Sequence, residues 1–344
     1  MKKTITVLAI TFGSLSAAAQ QDPQFSQYMH NKLFMNPAYA GMKHAACFTV
    51  IGRNQWNGFS GAPNSGVFTG DIWLNKWGGA GLTVMYNKLG FEKNVSARGS
   101  YSFHVNDIFN RGTLGIGVEL GVFSKRIGPS GSEQWVATTS WQNDASIPPQ
   151  LRQAKADLGL GLWYQQEEFY IGLSTSHLPA TAFSGLSSPM GTPPQAHSLS
   201  YQMARHYYIT GGWNFGRETD TWQIRPSFLV KSDAAITSFD LNCIALFNNR
   251  FWFGGSYRFQ DAICPMVGFQ LTNTWQQSHG DVRHDDRSSK TSGTSELRIG
   301  FAYDYTTSNL KNYSNGSFEL FLNYCIPIQY RLVREGHGSV RIFD

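Results

Sequence analysis

The chain has little charge, no long apolar run and no clustered cysteines, and each shortage excludes a class of protein. Charged residues make up only 15% of its 344 residues, below the roughly 25% that is usual for soluble globular domains. No apolar run reaches the roughly 18 residues that a membrane-spanning helix requires. The net charge of +5 includes Lys2 and Lys3, and it is too small to indicate a nucleic-acid-binding protein.

The cysteines and the common catalytic motifs give no sign of a metal site or an enzyme. No CxxC pair or zinc-ligand spacing occurs among the four cysteines, which are Cys47, Cys243, Cys264 and Cys325. A disulfide can form in an oxidising compartment, but the sequence leaves its pairing open. No GxSxG, HExxH or phosphate-binding glycine motif is present. We therefore expect no catalytic residue, no cofactor and no bound metal.

Residues 1–19 have the features of a secretory signal peptide. Lys2 and Lys3 precede an apolar stretch, and three alanines at 17–19 form a small-residue cleavage site before Gln20. The apolar stretch is too short to cross a bilayer core of about 30 Å. No cysteine follows the cleavage site, which argues against a lipoprotein anchor. We expect the mature chain to leave the cytoplasm.

Aromatic residues and glycine are abundant, at 14% of the chain and 35 residues respectively. Several segments alternate apolar with small or polar side chains at a period of two, a pattern that a strand sorts onto two faces. In residues 113–123, "TLGIGVELGVF", one face is aliphatic and the other carries glycines and Glu119. An exported chain with this pattern is typical of a transmembrane β-barrel, whose apolar residues face lipid and whose small or polar residues face the lumen.

The alternating segments predict an all-β fold, a transmembrane antiparallel β-barrel of about 14 strands. The predicted strands are residues 44–53, 65–75, 77–87, 93–105, 112–124, 154–164, 168–177, 204–214, 221–231, 235–247, 250–258, 262–272, 295–306 and 317–326. The three longest links, roughly 125–153, 178–203 and 273–294, are all expected on the extracellular side. The predicted parts of the chain are a signal peptide (1–19), an N-terminal plug or periplasmic segment (20–42), the barrel (43–326) and a C-terminal periplasmic tail (327–344).

The predicted inward face of the barrel carries charges of both signs. These residues are Arg98, Glu119, Asp157, Arg225, Lys231, Asp240, Glu296, Arg298, Asp304 and Glu319. Because the signs are mixed, the residues do not form a selectivity ring of one sign. We interpret them as a salt-bridged interior that holds a plug.

Residues 20–41, just before the first strand, combine amide side chains with aromatic rings and almost no charge. Amides can pair with the inward charges, and rings can pack where the wall presents glycines. Asn36-Pro37 disfavours a helix through Asn36, and Gly41 permits a sharp entry into the strand. We expect a plug inside or across the periplasmic mouth, with a disordered leader as the alternative. The plug and lumen candidates are Gln24, Phe25, Tyr28, Asn31, Phe34, Asn36, Pro37, Tyr39, Arg98, Glu119, Arg298 and Glu319.

Two loops are candidates for binding. "RNQWNGFSGAP", residues 53–63, is either an aromatic girdle at a turn or a partner-binding loop, with Arg53, Trp56 and Phe59 as the partner candidates. Residues 278–290 contain histidines and aspartates of the kind that bind metal, but their alternating charges favour a solvated loop over a metal site.

Three blocks of the sequence resemble the PorP/SprF family, outer-membrane proteins of the type IX secretion system of Bacteroidetes. They are "DPQFSQYMHNKLFMNPAYAG" at 22–41, "RNQWNGFSGAPNS" at 53–65 and "YDYTTSNLKNYSNGSFELFLNY" at 303–324. Together they span nearly the whole mature chain. The family commonly has histidine at the position of Phe318, so any histidine chemistry at that position is absent here.

The resemblance implies an integral outer-membrane component without catalysis, which supports export or cell-surface attachment of a secreted protein such as a gliding adhesin. The implied partners are a client with a C-terminal sorting domain, periplasmic ring or motor components, and outer-membrane lipid. The alternative is an outer-membrane diffusion channel or an uptake barrel for hydrophobic compounds, which the sequence alone does not separate from the first reading.

Overall fold

The fold is built almost entirely from β-strands. The computed structural model describes residues 22–58, 60–109, 112–128, 151–187, 197–217, 219–277 and 291–328. Its strands are β1 (Ala45–Asn54), β2 (Asn64–Trp73), β3 (Gly79–Leu89), β4 (Glu92–Ile108), β5 (Gly112–Ile127), β6 (Leu151–Gln165), β7 (Phe169–Ser176), β8 (Ala182–Ser187), β9 (His197–Gln202), β10 (His206–Trp213), β11 (Trp222–Ser232), β12 (Thr237–Phe247), β13 (Phe251–Arg258), β14 (Ala262–Gln277), β15 (Thr291–Thr306) and β16 (Ser317–Pro327). Short 3-10 turns cover Tyr28–His30, Pro37–Tyr39, Asn75–Trp77 and Asn309–Asn312.

Fourteen of these strands form one closed antiparallel barrel. Each pairs with its neighbour in the chain, β7 pairs with β10, and β1 pairs with β16 to close the sheet. β8 and β9 form a separate two-stranded hairpin. The predicted fold class, an all-β antiparallel barrel of about 14 strands, is confirmed. Among the residues that the structure describes, no helix is long and apolar enough to cross a membrane.

Side chains alternate between the two faces of the barrel as the sequence predicts. In β16, Phe318, Leu320 and Leu322 point outward and are 38–60% exposed. Glu319 and Phe321 lie between them and point inward, with 1% and 0% exposure. The outward apolar belt belongs in the hydrocarbon region of a bilayer, because leaving so much apolar surface in water is unfavourable.

The links between strands alternate between two ends of the barrel. We call the end with Ala45 and Pro327 the terminal end, and the opposite end the distal end. The long links after β5 and β7 leave from the distal end, as predicted. Gln277 and Thr291, the residues that the third link joins, are paired at the terminal end, because β14 is the twelfth barrel strand. The prediction that the three longest links share one side was wrong for this third link, because direction reverses at every antiparallel strand.

A disulfide joins the first and last strands. Cys47 of β1 and Cys325 of β16 are cross-strand partners and are bonded to each other. The sequence alone leaves this pairing open. Cys243 and Cys264, on β12 and β14, are free thiols. The covalent cross-link therefore lies at the seam where the barrel closes.

The hairpin of β8 and β9 packs over the distal end of the lumen. Phe183 of β8 is fully buried and its ring lies 6.1 Å from that of Phe123 on the inner face of β5. The Lys125 ammonium makes a cation–π contact with Tyr201 of β9, 3.7 Å from the centroid of the ring. These contacts join the hairpin to the core, which lies inside the barrel.

Candidate functional site inside the barrel

Residues 22–42, which we call the enclosed segment, lie within the barrel. Phe25, Tyr28, Leu33 and Tyr39 are each less than a tenth exposed. The segment has two 3-10 turns and no regular helix. Its contacts reach strands on opposite sides of the wall, from β1 and β16 round to β6 and β7.

Asn36 fixes the middle of the enclosed segment. It is extended before Pro37, with φ −142° and ψ 112°, as expected for a residue that precedes proline. Its Oδ1 accepts a hydrogen bond from the Ala38 amide at 3.0 Å. Its Nδ2 donates to the carbonyls of Leu162 at 2.9 Å and Leu173 at 3.1 Å. One side chain thus caps a turn and ties the segment to two strands of the wall.

Glycines let the segment approach the wall this closely. A Cβ on Gly161 would lie 2.1 Å from the Asn36 Oδ1, and a Cβ on Gly117 would lie 2.2 Å from the Ala38 nitrogen. Both distances are far below van der Waals contact. The glycines on the inner face of β5 and β6 therefore leave the space that residues 36–38 of the enclosed segment occupy.

A group of buried side chains, the anchor cluster, holds the start of the enclosed segment. Its members are Ser26, Arg53, Asp240, Arg258, Asp304 and Glu319. The Arg53 guanidinium lies 2.5 Å from Asp304 Oδ2 and 3.1 Å from Glu319 Oε2. The Ser26 hydroxyl accepts a hydrogen bond from Arg53 at 2.8 Å and donates to Asp304 at 2.8 Å. The backbone amides of Ser26 and Gln27 both donate to the Glu319 carboxylate, each at 2.8 Å.

The other half of the anchor cluster centres on Arg258. Its Nε lies 3.2 Å from Asp240 Oδ1, and its Nη1 lies 3.5 Å from Asp304 Oδ2. Gln24 donates from Nε2 to Asp240 at 3.1 Å. Buried charges of this kind require both a partner of opposite sign and satisfied hydrogen bonds. The enclosed segment supplies several of those hydrogen bonds.

The three sequence blocks that resemble the PorP/SprF family meet at the anchor cluster. Ser26 comes from block 22–41, Arg53 from block 53–65, and Asp304 and Glu319 from block 303–324. The prediction that the two carboxylates face the lumen agrees with this arrangement, but Arg53 was assigned to a partner loop. Arg53 is only 3% exposed and lies in β1 with its side chain turned inward, so it is not part of the loop surface.

A second group, the Asp22 cluster, holds the first described residue. Its members are Asp22, Asp157, His177, His206, Tyr208 and Lys231. His177 lies between two carboxylates, with Nε2 3.1 Å from Asp22 Oδ1 and Nδ1 2.9 Å from Asp157 Oδ2. Burial lowers the pKa of His177, but the negative charges of Asp22 and Asp157 outweigh burial and raise it to about 9. His177 therefore carries a positive charge at neutral pH.

Further hydrogen bonds hold Asp22 in the cluster. Tyr208 donates from its hydroxyl to Asp22 Oδ2 at 3.0 Å, and the Asp22 amide donates to His206 Nε2 at 3.1 Å. The Lys231 ammonium donates to the Asp22 carbonyl. Ligand atoms of Asp22, His177 and His206 lie within 4.8 Å of one another, a spacing that suits a metal ion. Existing hydrogen bonds already occupy all three, so we interpret the cluster as an anchor.

No sequence motif predicts the Asp22 cluster. His177 directly follows β7 and His206 begins β10, so 28 intervening residues separate them in the chain. The barrel brings them together because β7 and β10 pair as neighbours. The sequence feature that points to this cluster is a histidine at each end of the long link between β7 and β10. Two histidines in such positions are, by themselves, weak evidence for a site.

The other predicted lumen residues also face the interior. The Phe25 and Phe34 rings make an edge contact at 5.4 Å. Asn31 accepts a hydrogen bond from Thr69 at 2.9 Å, and the Tyr28 hydroxyl lies 3.4 Å from the Ser227 hydroxyl. The Tyr39 ring packs edge-on at 5.0 Å against a tryptophan of β6.

Four of the predicted charges form two pairs apart from the anchor cluster. Arg98 pairs with Glu119 at 2.8 Å and donates to the carbonyl of Phe34 at 3.4 Å. Arg298 pairs with Glu296 at 2.6 Å, towards the terminal end. The inward charges therefore form separate pairs along the enclosed segment, not one connected ring.

The candidate partner loop is joined to the loop before β16. The Trp56 amide donates to the Ser317 hydroxyl at 3.1 Å, and Trp56 itself is half-buried. Asn57 and Asn315 are joined by a backbone hydrogen bond of 2.8 Å. Phe59 lies outside the described residues, as do residues 278–290, where the sequence raised a metal-binding alternative.

Comparison with known proteins gives distant structural likenesses and one family. Omp33 of Acinetobacter baumannii is 6% identical, with 83% of this chain and 99% of that chain covered and a TM-score of 0.36. The toluene transporter TbuX of Ralstonia pickettii is 11% identical, with 86% and 93% covered and a TM-score of 0.47. The toluene transporter TodX of P. putida is 12% identical, with 88% and 95% covered and a TM-score of 0.44. We draw no argument from scores this low.

No curated protein matches the chain at a significant level. The family model described as type IX secretion system membrane protein PorP/SprF matches residues 17–324, which include the enclosed segment and the strands up to Tyr324 of β16. The chain therefore belongs to the PorP/SprF family and is an integral outer-membrane component of the type IX secretion system.

Proposed function

We propose that the protein is a sealed barrel that supports export or cell-surface attachment of a secreted protein, with the enclosed segment as its plug. The observation that carries this proposal is the filling of the lumen by residues 22–42 and their attachment at the anchor cluster and the Asp22 cluster. A barrel whose lumen is occupied by its own chain is suited to binding and placement of a partner. It is poorly suited to the passage of solutes.

The dimensions of the interior support this reading. Cavities along the enclosed segment have volumes of about 10 to 90 Å³. Barrels of similar or larger strand number conduct only where the interior leaves a continuous aqueous channel. Cavities of this size can hold ordered water molecules. Diffusion through the lumen would require the enclosed segment to leave.

The distal end is the proposed docking surface for the client. It carries the long links after β5 and β7 and the loop around Trp56, and Trp56 is an aromatic side chain of the kind that anchors protein interfaces. The backbone contacts from this loop reach Ser317, two residues before Glu319 of the anchor cluster. The proposed docking surface and the proposed plug thus both contact the start of β16.

Affinity purification of the tagged full-length protein from native envelopes in mild detergent, followed by mass spectrometry, tests the proposal. We expect to recover a large secreted protein with a C-terminal sorting domain, together with type IX ring or motor components. Trp56→Ala should reduce client recovery. Trp77→Ala, which changes an exposed tryptophan at the terminal end, should leave it unchanged.

Single-channel recording separates the sealed barrel from the alternative of a diffusion channel. The wild-type protein should show no steady conductance in planar bilayers, and a variant that lacks residues 22–42 should conduct. Steady conductance of the wild type, or a solitary barrel that co-purifies with a hydrophobic compound, would favour the channel or uptake function instead.

A further inference from the structure

A cavity of about 90 Å³ lies between the enclosed segment and the wall formed by β7 and by β10 to β15. It extends to the exposed side chain of Asn214, directly beyond β10 and therefore at the terminal end. Side chains from both the segment and the wall contribute to its lining. Its polar lining side chains include His30, Lys32, Arg225, Trp252, Gln270 and Arg298.

The lining presents buried hydrogen-bond donors that have no acceptor. Trp252 is only 3% exposed, and its Nε1 makes no hydrogen bond. Indole nitrogen can only donate, so this atom needs an acceptor. Arg298 Nε and His30 Nε2 are likewise buried without a partner. Leaving a buried donor unsatisfied is unfavourable. Trp252 Nε1 and Arg298 Nε are two such donors in side chains that line one cavity, whereas the His30 nitrogen donates only in the tautomer that places the proton there.

The cavity is also positively charged. Lys32, Arg225 and Arg298 line it, and no carboxylate is among its described lining residues. Glu296, which pairs with Arg298 at 2.6 Å, does not line the cavity. The Lys32 ammonium instead lies over the Tyr170 ring, 3.4 Å from its centroid.

The titration behaviour of the enclosed segment agrees with this excess of positive charge. Burial, followed by the nearby cations Lys43, Arg298 and Arg225, lowers the pKa of Lys32 well below its ordinary value. Burial and neighbouring cations, Arg298 first among them, lower the pKa of His30 in the same way. An anion in the cavity would reverse the electrostatic part of both shifts.

We propose that this cavity binds a phosphate group, with Arg225, Arg298 and Lys32 as charged donors and Trp252 Nε1 as a neutral donor. Arginine guanidinium groups match the oxygens of a phosphate in pairs, which makes them its preferred partners in proteins. The volume is large enough for one phosphate group. The phosphate is either free inorganic phosphate or the head of a phospholipid that enters from the terminal end.

Calorimetric titration of the purified full-length protein in detergent and phosphate-free buffer tests the proposal. One arm uses inorganic phosphate, and the other uses dihexanoyl phosphatidic acid. Trp252→Phe keeps an aromatic ring but removes the indole donor, and it should weaken binding by at least about tenfold. Lys32→Met should weaken binding to a similar extent. Trp222→Phe, which changes an exposed outward tryptophan, is the matched control and should bind as the wild type does.

Each outcome decides the proposal. Binding of inorganic phosphate, weakened in the two cavity variants, supports a free phosphate. Binding of the lipid alone, weakened in the same variants, supports a lipid headgroup. No binding in either arm, or equal binding by the wild type and both cavity variants, overturns it. Heat-modifiable migration in SDS gels reports whether each variant folds, and the ³¹P NMR line width of phosphate with wild-type protein gives a readout that needs no variant.

Discussion

Arg53 and Glu319 are cross-strand partners at the seam of the barrel, and together they hold the enclosed segment. Their side chains meet at 3.1 Å inside the lumen. Arg53 also donates to the Ser26 hydroxyl, while Glu319 accepts from the Ser26 and Gln27 amides. Arg53 and Glu319 therefore link the first strand to the last and also fix the start of the enclosed segment.

Glu319→Ala should release the start of the enclosed segment. The change leaves the Arg53 charge with one carboxylate partner fewer and leaves two buried amides without an acceptor. Breaking a buried pair in this way costs about 3–5 kcal/mol. Hydrogen exchange of the peptide that covers residues 22–30 should become much faster. The double variant Arg53→Met/Glu319→Met should recover only part of the protection, because the amides of Ser26 and Gln27 still lack their acceptor. Unchanged exchange in Glu319→Ala would contradict the role of this pair.

The attachment of Asp22 should weaken as the pH rises. The pKa of His177 is raised from 6.5 to about 9, so the stabilisation is fully present below about pH 6.5 and is lost as the pH rises through 9. A shift of this size corresponds to about 3 kcal/mol. Limited proteolysis near residue 22 should therefore accelerate between pH 7 and pH 9.5.

His177→Gln is the control for this pH dependence. The glutamine keeps a polar side chain but cannot carry the charge that pairs with Asp22 and Asp157. The other titratable groups that face this position, His206 and Lys231, remain in the variant. Proteolysis in His177→Gln should be fast at every pH between 7 and 9.5. A pH dependence as steep as that of the wild type would assign the effect to another group.

Gly117→Ala should displace the middle of the enclosed segment while leaving the barrel closed. The new methyl group would lie 2.2 Å from the Ala38 nitrogen, so the backbone of the segment must move. We expect conductance to appear in planar bilayers and heat-modifiable migration to persist. Gly52→Ala is the matched control, because a Cβ at Gly52 meets no atom within 4 Å. A closed, non-conducting Gly117→Ala barrel would argue against close packing of the segment at this position.

Loss of the Cys47–Cys325 disulfide should destabilise the closed barrel by about 2–4 kcal/mol. Cys325→Ser removes the covalent link between β1 and β16 but leaves their hydrogen-bonded pairing in place. The measurement is the temperature at which the barrel unfolds in detergent under oxidising conditions. Cys243→Ser, which changes an exposed free thiol, should have little effect. Equal unfolding temperatures for the two variants would show that the cross-link contributes nothing measurable.

Local alternation predicts the strands well, and the reason is physical. A strand with one face in lipid and one in the lumen must alternate at a period of two, so the pattern alone assigns residues such as Asp304 and Glu319 to the inward face. The same rule applies to Arg53, but its position at a strand end beside an aromatic loop favoured the loop assignment. Its role depends on the register between β1 and β16, which is set by closure of the whole sheet.

Two features that the sequence missed depend on pairing between distant parts of the chain. His177 and His206 meet because β7 and β10 pair; the predicted strands 168–177 and 204–214 are consecutive, but no motif marks the two histidines as one cluster. Cys47 finds Cys325 because the first strand pairs with the last. No local pattern records either relationship. The position of the third long link was missed for a simpler reason, since it depends only on whether the preceding strand is even or odd in the barrel.

The attachment of Ser26 to residues of β15 and β16 has a consequence for assembly. Ser26 takes its partners from the last two strands of the chain, 278 residues away for Asp304 and 293 for Glu319. A chain that stops before β15 therefore lacks the Asp304 and Glu319 partners of Ser26. The partners of Asp22, which extend only to Lys231, are already present in such a chain. The attachment of Ser26 is therefore completed only when the last two strands have joined the sheet.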